Sequence, residues 1–176
     1  MQILKILLVT VVLSGCSSIE LEEVNPQGVD LSGTWVLDEA ASDSATVLRS
    51  KQRRRSDDQV VERRREIVRA AGSGLAFVTH DFQVLTAERI TIEQNHDSMG
   101  IAHKPGVYRD VSWGERQRGL WEVYAGWEGT DLVIISKAPD LSVLERYKAS
   151  RRSLVVEVTI EADGDDRIVN RVFTRR

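Results

Sequence analysis

Residues 31–37 read LSGTWVL, and the fold turns on this stretch and on the forty residues beyond it. Threonine, tryptophan and valine suit a pleated, half-buried surface, so Leu31 to Leu37 reads as a first strand. The chain then changes character from Ala41 to Ala71. Ser42, Asp43 and Ser44 are residue types that cap helix N-termini. Ser56-Asp57-Asp58-Gln59 has the form of a capping box, and Gly72-Ser73-Gly74 ends the run. The expectation is a helical segment over 42–71, as two short helices or one helix broken near Ser56. Its apolar stripe is narrow, through Val47, Leu48, Val60, Val61, Ile67 and Val68.

Beyond Gly74 the pattern turns to β. Phe77 to Leu85 alternates at Val78, Phe82 and Val84, and reads as a strand or a loop. Glu88 to Gln94 alternates cleanly, with Ile90 and Ile92 on one face, and Asn95 to Gly100 is rich in turn formers. Gly119 to Trp127 puts Trp121, Val123 and Trp127 on one face. Gly129-Thr130-Asp131 turns the chain into Leu132 to Ile135, and Val143 to Ala149 comes next. Leu154 to Ile160 places Val156, Val158 and Ile160 together. Asp163-Gly164 is a two-residue hairpin signal, and Ile168 to Thr174 is the last strand. Regular strands, short turns and no helices between them predict a mainly β domain. The expected architecture is an antiparallel meander closing into a barrel, with a helical insertion after the first strand.

Upstream of the barrel the chain begins with Met1, Gln2 and Lys5, then the uncharged run Ile6 to Leu13. A bilayer-spanning helix needs about 20 apolar residues. This run is shorter and fits the core of a secretory signal. Leu13-Ser14-Gly15-Cys16 resembles the lipobox of bacterial lipoproteins. The resemblance implies a signal peptide over 1–15, lipidation of Cys16 and cleavage before it. Two or three acyl chains hold a soluble domain on a membrane where one does not. Ser17, rather than an aspartate, after the cysteine implies sorting to the outer membrane. The whole chain is also similar to a group of proteobacterial lipoproteins, which implies a location and no activity. Residues 16–30, polar and acidic around Pro26-Gln27-Gly28, read as a tether, and 31–176 as a single domain. Cys16 is the only cysteine, so no disulfide or thiolate metal site is available to the barrel.

Charge is uneven. Ala41 to Ala71 carries nine arginines and lysines against five acids, within a chain of net charge −3. A basic segment therefore sits on an acidic body. An envelope location argues against nucleic acid as a partner. Arg53, Arg54, Arg55, Arg63, Arg64 and Arg65 are either a solvated face or a surface for anionic headgroups, each arginine contributing about 1 kcal/mol there.

Gly33-x-Trp35 on the first strand resembles the G-x-W that opens calycin barrels, the lipocalins and fatty-acid-binding proteins. In the latter a helix-turn-helix lid comes after the first strand, then an antiparallel meander, then a last strand carrying R-x-Y. Here Arg171-Val172-Phe173 stands in that place. The resemblance spans Leu31 to Arg176. It implies that Trp35 packs at the closed end with an arginine stacked near it, and that Arg171 points inward and can receive a carboxylate. Phe173 replaces the family's tyrosine and removes a hydroxyl donor.

The candidate ligand-binding residues are thus Arg171, Trp121, Trp127 and Phe173, and the candidate ligand is a small apolar or amphipathic molecule. The alternative is an envelope interaction protein with a filled barrel. A buried guanidinium needs an anionic partner, so Arg171 either meets a ligand or pairs internally with Glu122, Glu145 or Glu157. Trp113, Trp121 and Trp127 line a cavity or fill a core. His80, His96 and His103 show no metal-binding spacing, and no serine sits in a glycine-framed elbow. The sequence therefore predicts no metal, no cofactor and no enzyme. Cys16→Ala should leave an uncleaved or soluble periplasmic form, read by membrane fractionation. Normal cleavage and unchanged fractionation would contradict the lipoprotein reading.

Overall fold

The computed structural model describes residues 19–44, 78–162 and 165–176. Ten strands run through them: β1 (Gly33–Leu37), β2 (Arg89–Gln94), β3 (Ser98–Lys104), β4 (Tyr108–Ser112), β5 (Gly114–Arg118), β6 (Trp121–Glu128), β7 (Asp131–Ala138), β8 (Leu141–Ala149), β9 (Ser153–Ala162) and β10 (Asp165–Arg175). Their order in the sheet is β4-β3-β2-β1-β10-β9-β8-β7-β6-β5, and every pairing is antiparallel. The first strand lies between β2 and β10, with Trp35 opposite Ile90 on one side and Arg175 on the other. The sheet curls into a nearly closed barrel whose two edge strands are β4 and β5. Arg116 of β5 reaches across that seam, donating to the Asp110 carbonyl (2.8 Å) and to Ser112 Oγ (3.1 Å).

Strand alternation sets the interior. Along β9, Leu154, Val156, Val158 and Ile160 are buried while their neighbours are partly exposed. Trp35, Trp127, Tyr147 and Phe173 are also fully buried. Burying apolar surface at about 25 cal/mol per Å² is the main force holding such a disulfide-free barrel. Trp35 donates its Nε1–H to the Leu31 carbonyl (2.9 Å). An arginine does stack on it, Arg175, with its guanidinium carbon 4.3 Å from the ring centroid. Arg175 also donates to the carbonyls of Ser32 and Asp30, joining the end of the last strand to the approach of the first.

At the other end the described chain stops at residue 44 and resumes at residue 78. Residues 45–77 lie outside the described set, and with them Arg53, Arg54, Arg55, Arg63, Arg64, Arg65 and most of segment 42–71. Cys16 lies outside it as well. The reading of Phe77 to Leu85 as strand or loop gives way to short helical structure. Residues 78–81 are helical and a 3-10 turn, Gln83–Leu85, comes after them. Val78 and Phe82, four apart on one helical face, are both buried. Ser42 and Asp43, expected as helix caps, instead hold β10. Val172 N–H donates to Ser42 Oγ (2.9 Å) and Asn170 N–H to Asp43 Oδ2 (2.8 Å).

Two other expectations change. The turn assigned to Asn95 to Gly100 is confined to its first residues, because Ser98 already starts β3. The ring of Tyr108 on β4 lies over Gly100, in the space a Cβ there would take. The segment read as a tether is docked over residues 19–30. Leu21 is buried, and Glu22 and Trp127 exchange backbone hydrogen bonds of 2.9 and 2.8 Å beside the edge strand β5. Gly126 makes this approach feasible, since a Cβ there would meet the Glu22 carbonyl at 2.8 Å.

Trp35→Ala should destabilise the domain by about 3–5 kcal/mol, the usual cost of emptying a large aromatic site. Urea unfolding followed by circular dichroism measures this, and a wild-type midpoint would contradict the central place given to Trp35.

Candidate functional site: a polar belt inside the barrel

Alternation that buries valines elsewhere buries polar groups at the middle of this barrel. β8 turns Val143, Glu145 and Tyr147 inward, β4 turns Arg109 and Val111 inward, and β3 does the same with His103. Arg109 Nη1 donates to Glu145 Oε2 at 2.5 Å, and the Tyr147 hydroxyl donates to Glu145 Oε1 at 3.0 Å. The side chains of Arg109 and Glu145 are 5% and 0% exposed. Burial disfavours the Arg109 charge, but Glu145 outweighs it and the net effect holds the guanidinium more firmly protonated. Burial, followed by the Glu145 charge, pushes the Tyr147 hydroxyl well up, so it remains a donor at neutral pH.

Several polar atoms around this pair have no hydrogen-bond partner among the described residues. They are Arg109 Nε and Nη2, His103 Nε2 and Ser136 Oγ. His103 Nδ1 lies 3.3 Å from the Val107 carbonyl, an arrangement in which Nδ1 carries the proton and Nε2 is left as an acceptor. Burial pushes the His103 imidazole down, toward its neutral form. Phe82 lies under Arg109, 5.8 Å from the guanidinium carbon to the ring centroid, and meets Trp121 edge-on at 5.0 Å. Trp121 Nε1–H donates to Asp81 Oδ2 at 2.8 Å. The segment 78–85 therefore reaches the polar belt from the insertion end.

The four residues singled out in the sequence are not one site. Trp121 alone lies beside the belt. Trp127 sits at the closed end, edge-on to Trp113 at 5.6 Å, and Phe173 is fully buried opposite Leu37 of β1 and Leu154 of β9. Arg171 is inward and buried, as expected, but none of the three glutamates is its partner. Glu145 belongs to Arg109, Glu157 lies 3.6 Å from Lys148, and Glu122 is exposed on the outer face of β6. Arg171 Nη1 donates instead to the Asp43 carbonyl at 2.8 Å. Burial pushes its guanidinium down, against the pull of Glu39 and Asp43. His80 and His96 are exposed, apart from buried His103. Among the described residues no three His, Cys, Asp or Glu side chains converge as metal ligands.

Sequence reasoning weighed Glu145 only as a partner for Arg171 and passed over Arg109, Tyr147 and Ser136. One signal was available: Val143-x-Glu145-x-Tyr147 shares one face of a strand, and a charge in an otherwise apolar row needs a partner from another strand. A hollow of about 360 Å³ opens between the β7–β8 and β9–β10 turns, lined by Lys137, Pro139, Asp140, Ser142, Glu161 and Asp166 among others. Its lining mixes polar and apolar groups, and it is open to solvent and separate from the belt.

No protein-family model and no curated protein matches the chain. Solved structures do. Human cRBP IV is 21% identical over 84% of this chain and 98% of its own, with a TM-score of 0.52. The fluorescent protein UnaG, in its wild-type form, is 16% identical over 83% of this chain and 97% of its own, with a TM-score of 0.50. A UnaG variant is 17% identical at the same TM-score. At these identities the likeness is one of fold, and the fold is calycin-like.

Glu145→Gln should cost about 3–5 kcal/mol, because it leaves the Arg109 charge buried without its partner. Replacing both residues with methionine should recover more than half of that loss. Denaturant unfolding of the double variant and of the single variants Glu145→Met and Arg109→Met completes the cycle. Additive costs would mean that the pair is not coupled.

Proposed function

We propose that the chain is an outer-membrane lipoprotein whose barrel takes up a small amphipathic molecule at the insertion end. The observation that carries the binding role is the set of buried, unpartnered polar atoms on Arg109, His103 and Ser136. Leaving one such group unsatisfied costs about 1–3 kcal/mol, so folded proteins pair them with protein, water or ligand. A ligand with a polar head and an apolar body suits a belt of this kind framed by Phe82, Trp121 and aliphatic walls. The calycin-like fold supports this reading, since human cRBP IV is a cellular retinol-binding protein.

The anchor rests on the sequence Leu13-Ser14-Gly15-Cys16 and on its distance behind the apolar run. Glu22 is fixed beside Trp127 at the closed end. Six residues span at most about 20 Å, so acyl chains on Cys16 would hold that end nearest the bilayer.

A second reading, a filled barrel serving as an interaction module, is favoured by Phe82. Its ring occupies interior space between Arg109 and Trp121. In the ligand reading Phe82 moves with its segment to admit the guest. Native mass spectrometry of protein extracted from membranes separates the two. Binding predicts a non-covalent mass beyond the acyl anchor that is lost on unfolding. A bare protein mass, with no fluorescence change from Trp121 on titration with amphiphiles, would favour the filled barrel.

A further inference from the structure

The sheet ends at β4 on one side and at β5 on the other, and among the described residues no strand fills the seam between them. On β4 the direction of the backbone groups is fixed by its neighbour. His103 N–H donates to the Val107 carbonyl and Trp113 N–H to the Asp97 carbonyl, so residues 107 and 113 turn toward β3. Backbone groups point to alternate sides along a strand, so Tyr108, Asp110 and Ser112 turn theirs into the seam. The Asp110 carbonyl accordingly accepts from Arg116 Nη2 of β5.

Side chains along the seam differ in sign between its two faces. Arg116 and Arg118 stand opposite the buried Val123 and Trp121 of β6, and Arg109 opposite the buried Ile101 of β3, so all three occupy inward positions. Arg109 is taken by Glu145, while Arg116 donates only to neutral oxygens, the Asp110 carbonyl and Ser112 Oγ. Asp110, Glu115 and Gln117 are exposed on the outer side with Tyr108. Where β4 begins and β5 ends, Val107, Tyr108 and Leu120 are 61%, 59% and 73% exposed. One such residue is ordinary on a surface, but three at one end of an open edge suit a contact surface. Charges at an edge guard it against pairing. This guard is positive on its inner side, so it repels basic strands and attracts acidic ones.

The molecule already accepts an acidic segment beside the seam. Residues 19–24 read Ile-Glu-Leu-Glu-Glu-Val. Along β6, β5 pairs as far as Ala125, and two residues further on Glu22 exchanges backbone hydrogen bonds with Trp127. Leu21 is buried there, and the Glu23 carboxylate lies against Gly114, the first residue of β5. Strand addition draws affinity from main-chain bonds and specificity from alternate side chains.

We propose that the β4–β5 seam takes up an extended segment of a partner protein as an added strand, its alternate acidic residues turned toward Arg116 and Arg118. Arg116 then exchanges its neutral acceptors for a carboxylate. The seam is a rim feature, and the inference holds whether or not the barrel contains a guest.

The test uses the full-length chain in phosphatidylcholine nanodiscs. The probe is a peptide of about six residues, the usual strand length, alternating glutamate and threonine. It should bind, read by fluorescence anisotropy of a labelled copy, and should slow amide exchange over β4. A lysine–threonine peptide, and one with the glutamates and threonines in separate blocks, should do neither. A fully N-methylated copy, which lacks the main-chain donors, should not bind the unaltered protein. Asp110→Pro removes an N–H that no strand uses, a position where an edge tolerates proline, and should abolish binding. Arg118→Gln should weaken binding about tenfold, the loss of one charge-assisted hydrogen bond. Equal binding of the block peptide or of the N-methylated copy overturns strand addition in favour of plain charge attraction. Slowed exchange around Tyr147 and not on β4 overturns the seam in favour of the barrel interior. Absence of binding by every peptide overturns the proposal and leaves the arginines as an edge guard. Should circular dichroism show Asp110→Pro unfolded, the N-methylated arm decides alone.

Discussion

The barrel depends on the capture of its last strand by its first. β1 is short, yet it is hydrogen-bonded on both sides, to β2 and to β10. Trp35 stands at that junction, fully buried, with its indole N–H on the Leu31 carbonyl and the Arg175 guanidinium over its ring. The contact joins three kinds of stabilisation in one place: buried aromatic area, a satisfied indole donor and a cation over a π face. The closed-end aromatics fill the interior on the same side, so that end is held by packing. The seam at β4 and β5 is held differently, by Arg116 reaching from one edge to the carbonyl and hydroxyl of the other.

That contrast gives the barrel two unlike regions. Around Trp35, Trp127 and Phe173 the interior is built of fully buried aromatic rings. Toward β3, β4 and β5 it carries His103, Arg109, Arg116 and Arg118, answered by Glu145. A charge pair buried this way is weak support for a fold, because desolvation offsets most of the Coulomb attraction. The sequence keeps it where a row of valines would stabilise the barrel at least as well. Chemistry at the centre of the barrel accounts for such a choice better than stability does. The same strands form the open seam of the sheet, so the most polar interior wall is also the wall with the fewest backbone hydrogen bonds.

How much could be read in the sequence depends on the same contrast. β6 to β10 were legible because their inward positions are Trp121, Val123, Trp127, Val156, Val158 and Ile160, and period-two apolarity is the signal that strand reading uses. The β3–β5 run was not, because His103, Arg109, Arg116 and Arg118 occupy inward positions and erase that alternation. Gly33-x-Trp35 was legible as the start of a barrel, including the arginine stacked on the tryptophan. Which arginine it would be was not, since Arg175 reaches Trp35 only through a pairing of strands at opposite ends of the chain. The belt was half legible. Glu145 was named only as one possible partner for Arg171, and its actual partner lay on β4, a strand the pattern did not reveal. Arg171 was placed inward correctly, and its true contact, a backbone carbonyl of Asp43, leaves no mark in residue type.

Joining the first strand to the last also shapes how the molecule is made. The hydrogen bond from Arg175 to Ser32 links residues 143 positions apart, while most other strand pairs are neighbours in sequence. Local hairpins from β6 to β10 can form early and cheaply in chain entropy. The closing contact must wait for a loop of nearly the whole domain, the kind of high-contact-order step that slows folding. Until β10 arrives, β1 and β9 each present an unpaired edge, the condition that invites pairing with another chain. A nascent chain therefore has its aggregation risk concentrated in the interval before its final eleven-residue strand is in place.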